Sequence, residues 1–190
     1  MRIGIDIDGV LTDEHQYIID YGTRFFYKNN IPFKINKKIY DSKEVFGVSQ
    51  ENYEKFWDNH IFEYSKKIPV RDFASEIINK LKEKNTIYII TSRSYTTYEN
   101  QYKEEMQNTV KKWLINNKIF YDEIIFTDNK SDICKKLNID LLIEDKPENI
   151  KSVSEVTKVI CYDHPYNEDI DANNVIRAYS WYDIYERLIL

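Results

Sequence analysis

The first twelve residues, MRIGIDIDGVLT from Met1 to Thr12, decide the fold. Residues 3–7 are mostly apolar and β-branched, which is typical of a buried strand. Two carboxylates, Asp6 and Asp8, end this strand, and at Gly9 the chain can turn without a Cβ clash. Because side chains alternate along a strand, we expect both carboxylates on one side if the extended conformation persists.

Two carboxylates this close repel each other, so the pair is costly unless a cation or a shared proton lies between them. The carboxyl end of a strand in an open α/β sheet is also where ligands bind. The alternative is an acidic loop after an edge strand, since acidic residues are common at protein surfaces.

Composition limits the class of protein. A chain of 190 residues predicts one domain, or one domain with a modest insertion. The net charge of −5 argues against binding to a nucleic-acid polymer or to an anionic membrane. There is no apolar run of 18 residues and no signal-peptide layout, so we expect a cytoplasmic protein without a transmembrane helix. Cys134 and Cys161 lack CxxC spacing and are expected to be reduced, buried thiols.

Residues 13–71 read as a small helical insertion. Apolar and aromatic residues recur at helical spacing over 13–27, and Ser49 is a candidate N-cap for a second amphipathic helix that carries Tyr53, Phe56 and Trp57. The piece between them is rich in turn residues. No stretch of this segment is convincing as a strand of a central sheet.

From residue 72 onward, strands and helices alternate, which predicts right-handed βαβ units and a parallel sheet with both faces covered. One strand ends in Thr91 and Ser92, and a later strand ends in Glu144 and Asp145. Since the carboxyl ends of parallel strands share one edge, these residues should converge on the carboxylates of the first strand. Oxygen ligands of this kind suit Mg²⁺ rather than Zn²⁺, and hydroxyl and N–H groups with a lysine suit a phosphate. The combination favours phosphoryl transfer.

The chain resembles the haloacid-dehalogenase superfamily of phosphohydrolases. Residues 6–11, DIDGVL, match the first motif DxDx(T/V)L; Thr91-Ser92 matches the second motif and Glu144-Asp145 the acidic fourth motif. Within the superfamily it is most similar to 5′(3′)-deoxyribonucleotidase-like proteins and bacterial nucleotidases, a similarity that includes residues 163–167, DHPYN. The resemblance implies a Rossmann-like core, residues 1–12 and 72–190, with a helical cap, residues 13–71.

The resemblance also implies roles for single residues. Asp6 would be the nucleophile that forms an aspartyl-phosphate, and Asp8 would be the general acid and base, for which crowding by Asp6 could keep it protonated. The side chains of Asp6 and Asp145 and the main-chain carbonyl of Asp8 would hold Mg²⁺. Thr91 and Ser92 would bind phosphate oxygens.

Other assignments stay open in the sequence. Lys130 is the preferred lysine of the third motif, with Lys135 and Lys136 as alternatives. Glu144 is expected behind the metal ligands or as a weaker metal contact. Phe46, Trp57 and Arg93 are candidate substrate contacts; helical spacing favours a core position for Trp57, and a surface ion pair is an equal alternative for Arg93. These three residues complete the predicted site.

The predicted function is therefore Mg²⁺-dependent hydrolysis of a small phosphomonoester, with a nucleoside monophosphate as the expected substrate. The alternatives are the same chemistry on another phosphorylated metabolite, and a non-catalytic regulator that binds a phosphate ligand. The acidic residues of all motifs are present, which counts against the regulator. The oligomeric state is left open by the sequence, a homodimer included.

Overall fold

A parallel six-stranded sheet forms the centre of the computed structural model, which describes residues 1–189. In chain order, its strands are β1 (Arg2–Ile5), β2 (Thr86–Thr91), β3 (Glu123–Phe126), β4 (Leu141–Glu144), β5 (Lys158–Tyr162) and β6 (Val175–Ala178). All neighbouring strands are parallel, and their order across the sheet is β3-β2-β1-β4-β5-β6. The chain progresses outward in both directions from the β1–β4 pair, so this pair marks the switch point where α/β sheets bind ligands.

Helices cover both faces of the sheet, as predicted. They are α1 (Glu14–Lys28), α2 (Ser42–Phe46), α3 (Gln50–Lys67), α4 (Ala74–Lys82), α5 (Lys103–Asn116), α6 (Lys130–Leu137), α7 (Pro147–Ser154) and α8 (Trp181–Ile189). Along β4, Leu141 and Ile143 join one buried cluster with Ile77 of α4, whereas Leu142 joins a second cluster with Ile150 of α7. This alternation is that of a strand covered on both sides. None of the helices within residues 1–189 has the length and apolar character that a membrane crossing requires.

Helices α1, α2 and α3 form an insertion between β1 and α4. Thr12, just before the insertion, and Val70, near its end, form an antiparallel bridge. Next to the bridge, the Arg71 N–H donates to the Leu11 carbonyl oxygen at 2.8 Å, and the Arg71 guanidinium lies 3.2 Å from the Asp13 carboxylate. The two connecting segments therefore run side by side. The assignment of residues 13–71 as a separate cap remains a prediction.

Aromatic packing holds the insertion together. The ring of Phe26 on α1 lies 5.0 Å from that of Phe46 on α2 and 6.1 Å from that of Phe56 on α3. Ser49 caps α3 as predicted, by accepting a hydrogen bond from the Asn52 N–H at 3.3 Å. The short helix α2 lies in the piece that the sequence indicated only as turn-rich.

Strand β1 is shorter than predicted. It ends at Ile5 rather than Ile7, although the N–H of Asp6 keeps one hydrogen bond to β4. From there the chain turns, and the Leu11 N–H donates to the Ile7 carbonyl oxygen at 2.8 Å. The extended conformation therefore does not persist to Asp8, and a turn, not strand alternation, brings the two carboxylates to the same cavity.

Candidate active site

A cavity of about 700 Å³ opens at the carboxyl edge of the sheet. Asp6 and Asp8, which follow β1, and Ser92, which follows β2, line it from the side of the sheet. Trp57 and Tyr64 of α3 line it from the side of the insertion. The cavity thus lies between the sheet and the insertion, next to the switch point of the sheet.

The turn after β1 depends on Gly9. Its φ of +83° lies in the left-handed region, which glycine adopts without strain. A Cβ atom at this position would lie 2.1 Å from Oδ2 of Asp145. No side chain fits between the turn and the end of β4, so glycine allows the turn to approach Asp145 closely.

Lys130 lies between two carboxylates at the base of the site. Its Nζ is 2.7 Å from Oδ1 of Asp6 and 2.6 Å from Oε2 of Glu144, and its side chain is 1% exposed. The other two candidate lysines, Lys135 and Lys136, are exposed on the same helix, α6. Of the three, Lys130 is the one that the fold brings to the acidic cluster.

The charges of this cluster perturb one another. Burial raises the pKa of Asp6 to about 8; the Lys130 ammonium opposes that rise. Burial alone would lower the pKa of Lys130, but Asp6 and Glu144 outweigh it and raise the pKa above its ordinary value. Burial, with the charge of Glu144 next, also raises the pKa of Asp145. The cluster contains three carboxylates and one ammonium group, so its negative charge exceeds its positive charge. Such a cluster favours the binding of a proton or a cation.

The acidic cluster fits a hard cation. Asp6, Glu144 and Asp145 are all buried, and each offers a carboxylate oxygen within 4.8 Å of the others. Glu144 is already occupied, because it accepts two hydrogen bonds from side chains and two from main-chain N–H groups. Oδ1 of Asp145, in contrast, is buried and has no hydrogen-bond partner in residues 1–189. Asp6 and Asp145 can therefore offer carboxylate oxygens to a cation, whereas Glu144 lies behind them and is held by its own hydrogen bonds.

Asp8 is held by residues from two different parts of the chain. Nε of Arg93, which follows β2, lies 3.0 Å from Oδ2 of Asp8, and Nη2 also bonds the carboxylate. The hydroxyl of Tyr64 on α3 donates to Oδ1 of Asp8, and the guanidinium carbon of Arg93 lies 5.0 Å from the centre of the Tyr64 ring. Both oxygens of Asp8 thus accept hydrogen bonds in a bidentate ion pair. Arg93, a predicted substrate contact, is committed to Asp8 in this structure.

The two residues of the second motif have different positions. Ser92 lines the cavity. Thr91 is fully buried at the end of β2, and its hydroxyl oxygen accepts the Arg93 N–H at 3.2 Å. Thr91 therefore supports the loop that presents Ser92 and Arg93.

The two aromatic candidates, Phe46 and Trp57, also have different positions. Trp57 lines the cavity, beside Tyr64, whose ring centre is 5.8 Å away. Phe46 is 2% exposed and packs against Phe26 in the core of the insertion; it is not among the described residues that line the cavity. The aromatic wall is formed instead by Trp57, Tyr64 and the residues Tyr40 and Tyr53.

Sequence reasoning did not single out Tyr166, which contacts the predicted metal ligand. Its hydroxyl donates to Oδ2 of Asp145, and its ring stacks on that of His164 with 4.7 Å between centres. Tyr166 belongs to the stretch 163–167 that supports the family resemblance, but the sequence alone indicated no role for this tyrosine.

Glu14 and Tyr64 were missed as well. Glu14 opens α1 and lines the cavity; burial, followed by the charge of Asp8, raises its pKa well above the ordinary value. Tyr64 lies seven residues after Trp57, two turns along one face of α3, so helical periodicity could have found it. For Glu14, the available signal was its place directly after the first motif.

Comparison with known proteins identifies the family. The sequence matches the model for "5' nucleotidase, deoxy (Pyrimidine), cytosolic type C protein" over residues 1–190. Nucleotidase CA_C3379 of Clostridium acetobutylicum is 30% identical over 188 residues, which cover 97% of this chain and 92% of that protein.

Solved structures share the fold. The haloacid dehalogenase-like hydrolase SP0104 from Streptococcus pneumoniae aligns with a TM-score of 0.68 at 14% identity, covering 98% of this chain and 97% of that one. YfnB from Bacillus subtilis, whose structure is described as bound to magnesium, aligns with a TM-score of 0.60 at 15% identity, covering 100% and 98%. The resemblance to haloacid-dehalogenase-like phosphohydrolases is confirmed: the chain belongs to the 5′ nucleotidase, deoxy (pyrimidine), cytosolic type C family and is an enzyme of the nucleotidase and phosphatase class.

Proposed function

We propose that this enzyme is a Mg²⁺-dependent phosphomonoesterase that hydrolyses (deoxy)nucleoside monophosphates through an aspartyl-phosphate on Asp6. The observation that carries the proposal is the buried Asp6–Lys130–Glu144 ion-pair network, with Asp145 beside it, at the base of a cavity with an aromatic outer wall. The name of the matching family and that of the Clostridium relative support a nucleotide as substrate.

In the proposed reaction, an Asp6 oxygen attacks phosphorus, and the bond from phosphorus to the ester oxygen breaks. The ester oxygen takes a proton from Asp8 and leaves as an alcohol. Water then attacks the phosphorus, Asp8 takes its proton, and the bond to Asp6 breaks to release phosphate. Lys130 orients Asp6 and, with Ser92, binds phosphate oxygens; Thr91 supports them from behind.

The metal would be held by Asp6, Asp145 and the main-chain carbonyl of Asp8. When bound, Mg²⁺ supplies positive charge that offsets the repulsion between the phosphate and the carboxylates. Oδ1 of Asp145, which is buried and has no hydrogen-bond partner among residues 1–189, is the observation that favours a cation at this place.

Asp8 must be released before it can act. A carboxylate that accepts hydrogen bonds from Arg93 and Tyr64 in an ion pair has no proton to give to a leaving group. We therefore place Arg93 on the substrate during turnover, where its guanidinium can bind a phosphate oxygen. A structure with a phosphate analogue bound, in which Arg93 still pairs with both oxygens of Asp8, would contradict this step.

The insertion, residues 13–71, would act as the cap over the substrate. Trp57 faces the cavity and offers a surface on which a base can stack. The paired segments at Thr12 and Val70 are the only covalent connections of the insertion, so they would be the hinge if the cap moves. Free and ligand-bound structures with the insertion in one position would refute a moving cap.

The test is phosphate release from a panel of phosphomonoesters, with and without Mg²⁺. The panel holds ribo- and deoxynucleoside monophosphates, sugar phosphates and phosphoserine, and Asp6→Asn is run beside the wild type. We expect release from nucleotides that requires both Mg²⁺ and Asp6. Phosphate release from another substrate class only would support the proposed reaction and exclude nucleotides as the substrate. Phosphate release by Asp6→Asn would refute Asp6 as the nucleophile.

A further inference from the structure

Glu14 is a carboxylate in the cavity that the proposed mechanism does not use. It is the first residue of α1, just after the turn that carries Asp6 and Asp8. It lines the cavity together with Asp8 and Arg93 on the side of the sheet and with Tyr40 and Tyr53 on the side of the insertion. Glu14 therefore lies between the reacting end of the cavity and its aromatic wall.

Within residues 1–189, Glu14 has neither an ion pair nor a hydrogen bond from another side chain. Arg93 is occupied by Asp8, and the Lys146 ammonium lies 5.2 Å from the centre of the Tyr40 ring. Glu14 is half-buried, so its carboxylate is partly desolvated, and a ligand group that donates to it relieves that cost.

The side chains that line the cavity carry a net negative charge. Of the residues that the structure describes, two cationic side chains line the cavity, those of Arg93 and Lys146, and so do six carboxylates, those of Asp6, Asp8, Glu14, Asp41, Asp128 and Glu148. In the proposed reaction, the buried Lys130 at the base of the site binds the phosphate. The outer part of the cavity repels further negative charge and favours an organic group that brings hydrogen-bond donors.

A purely local role does not account for the placement of Glu14. An acidic residue in the first turn stabilises a helix, but Asp13 already caps α1 by accepting the Gln16 N–H at 3.1 Å. A residue that acted only on the helix dipole would serve equally well on the solvent side of the turn.

We infer that Glu14 is a specificity residue that accepts a hydrogen bond from the organic part of the substrate, so that the enzyme selects phosphomonoesters bearing an N–H or O–H donor there. The inference rests on the proposed function and deepens it. For a nucleotide, the donor is either an N–H of the base or the 2′-hydroxyl of the sugar.

The test compares kcat/KM for matched substrates in the wild type, Glu14→Gln and Glu148→Gln. The base arm sets dCMP and dUMP against the 2-pyrimidinone deoxynucleotide, whose base has no N–H. The sugar arm sets CMP against dCMP, and a third arm sets ethanolamine phosphate against propyl phosphate. Glu148 is an exposed acid at the rim of the same cavity, so Glu148→Gln removes the same charge from an exposed position, whereas Glu14→Gln removes it from a half-buried one.

The wild type is expected to prefer the donor-bearing member of one arm. Glu14→Gln should lower kcat/KM for that member by about tenfold or more, the usual range for a charge-assisted hydrogen bond, with less than about threefold change for its partner. Glu148→Gln should leave the ratio unchanged. The arm that responds identifies the donor.

Every other outcome overturns either the inference about Glu14, the proposed substrate, or both the inference and the proposed function. Ratios that Glu14→Gln leaves unchanged in every arm, or that Glu148→Gln alters equally, overturn the inference and leave the proposed function standing. A response to Glu14→Gln with ethanolamine phosphate only overturns the proposal that the substrate is a nucleotide and supports the role of Glu14. Absence of phosphate release from every substrate overturns both.

Discussion

The ion pairs of Lys130 give the sharpest test of how the base of the site is built. Lys130→Met keeps most of the volume of the side chain and removes its charge. The substitution leaves Asp6 and Glu144 buried without the ammonium that lies 2.7 and 2.6 Å from their oxygens. Removing one partner of a buried ion pair typically costs about 3–5 kcal/mol, because the remaining charge is uncompensated.

The cost depends on pH with a definite sign. The pKa of Asp6 in the folded protein, about 8, lies above its ordinary value of 3.8, so the folded state binds more protons than the unfolded state between these values. Such a group costs stability as the pH rises from about 4 to 8, and loss of the ammonium increases that cost. The destabilisation by Lys130→Met should therefore be largest near pH 8 and smaller near pH 5.

The assay is thermal and urea unfolding at pH 8 and pH 5, followed by circular dichroism. For a chain of this length, about 3–5 kcal/mol corresponds to a fall of about 6–20 °C in Tm. Lys135→Met is the matched control, since Lys135 is exposed on the same helix and its loss should change stability by less than about 0.5 kcal/mol. A Lys130→Met protein within about 1 kcal/mol of the wild type at pH 8 would refute the ion-pair network.

Three further predictions concern the metal, the substrate and a buried histidine. Asp145→Asn should weaken Mg²⁺ binding in calorimetry by at least about tenfold, since it removes charge from one of the two available ligands; equal affinity would exclude Asp145 as a ligand. Trp57→Ala should raise KM for nucleotides by about tenfold but not KM for ethyl phosphate, because only the stacking surface is lost; Phe46→Ala should instead lower stability by about 3–5 kcal/mol without that selectivity. Burial lowers the pKa of His164 to about 4 from an ordinary 6.5, so about 3 kcal/mol of stability should be lost as the pH falls from 6.5 to 4. Unfolding of His164→Asn should lack this slope, and an unchanged slope would contradict the assignment.

Local sequence patterns were sufficient for the sheet and for its acidic edge. The β-branched run before Asp6 and the strand before Glu144 are short, apolar and bounded by polar residues, so their type and direction follow from periodicity and βαβ handedness. Lys130 could be preferred because it opens a helix directly before the Glu144 strand. Once the strands are parallel, these groups meet at one edge whatever the details of the loops.

Contacts between distant parts of the chain were not predictable in the same way. Phe46 and Trp57 are both large aromatic residues of the insertion, and only the packing of its three helices decides that Phe46 lies in the core and Trp57 lines a cavity. The pairing of Arg93 with Asp8 spans 85 residues, and no local pattern encodes it. The end of β1 was also misjudged, because Ile7 continues the apolar run while Gly9 and the close approach of Asp145 impose a turn.

The two partners of Asp8 differ in what holds them, and this difference matters for the proposed mechanism. Arg93 follows β2 and stays with the sheet, whereas Tyr64 belongs to α3 and would move with the insertion. Opening of a cap would remove the Tyr64 hydroxyl from Asp8 and leave the arginine ion pair in place. Entry of a phosphate would then give Arg93 a second anion to bind. Substrate binding, rather than cap movement alone, would thus free the proposed acid and base, so an empty enzyme would keep Asp8 inactive whether the cap is open or closed.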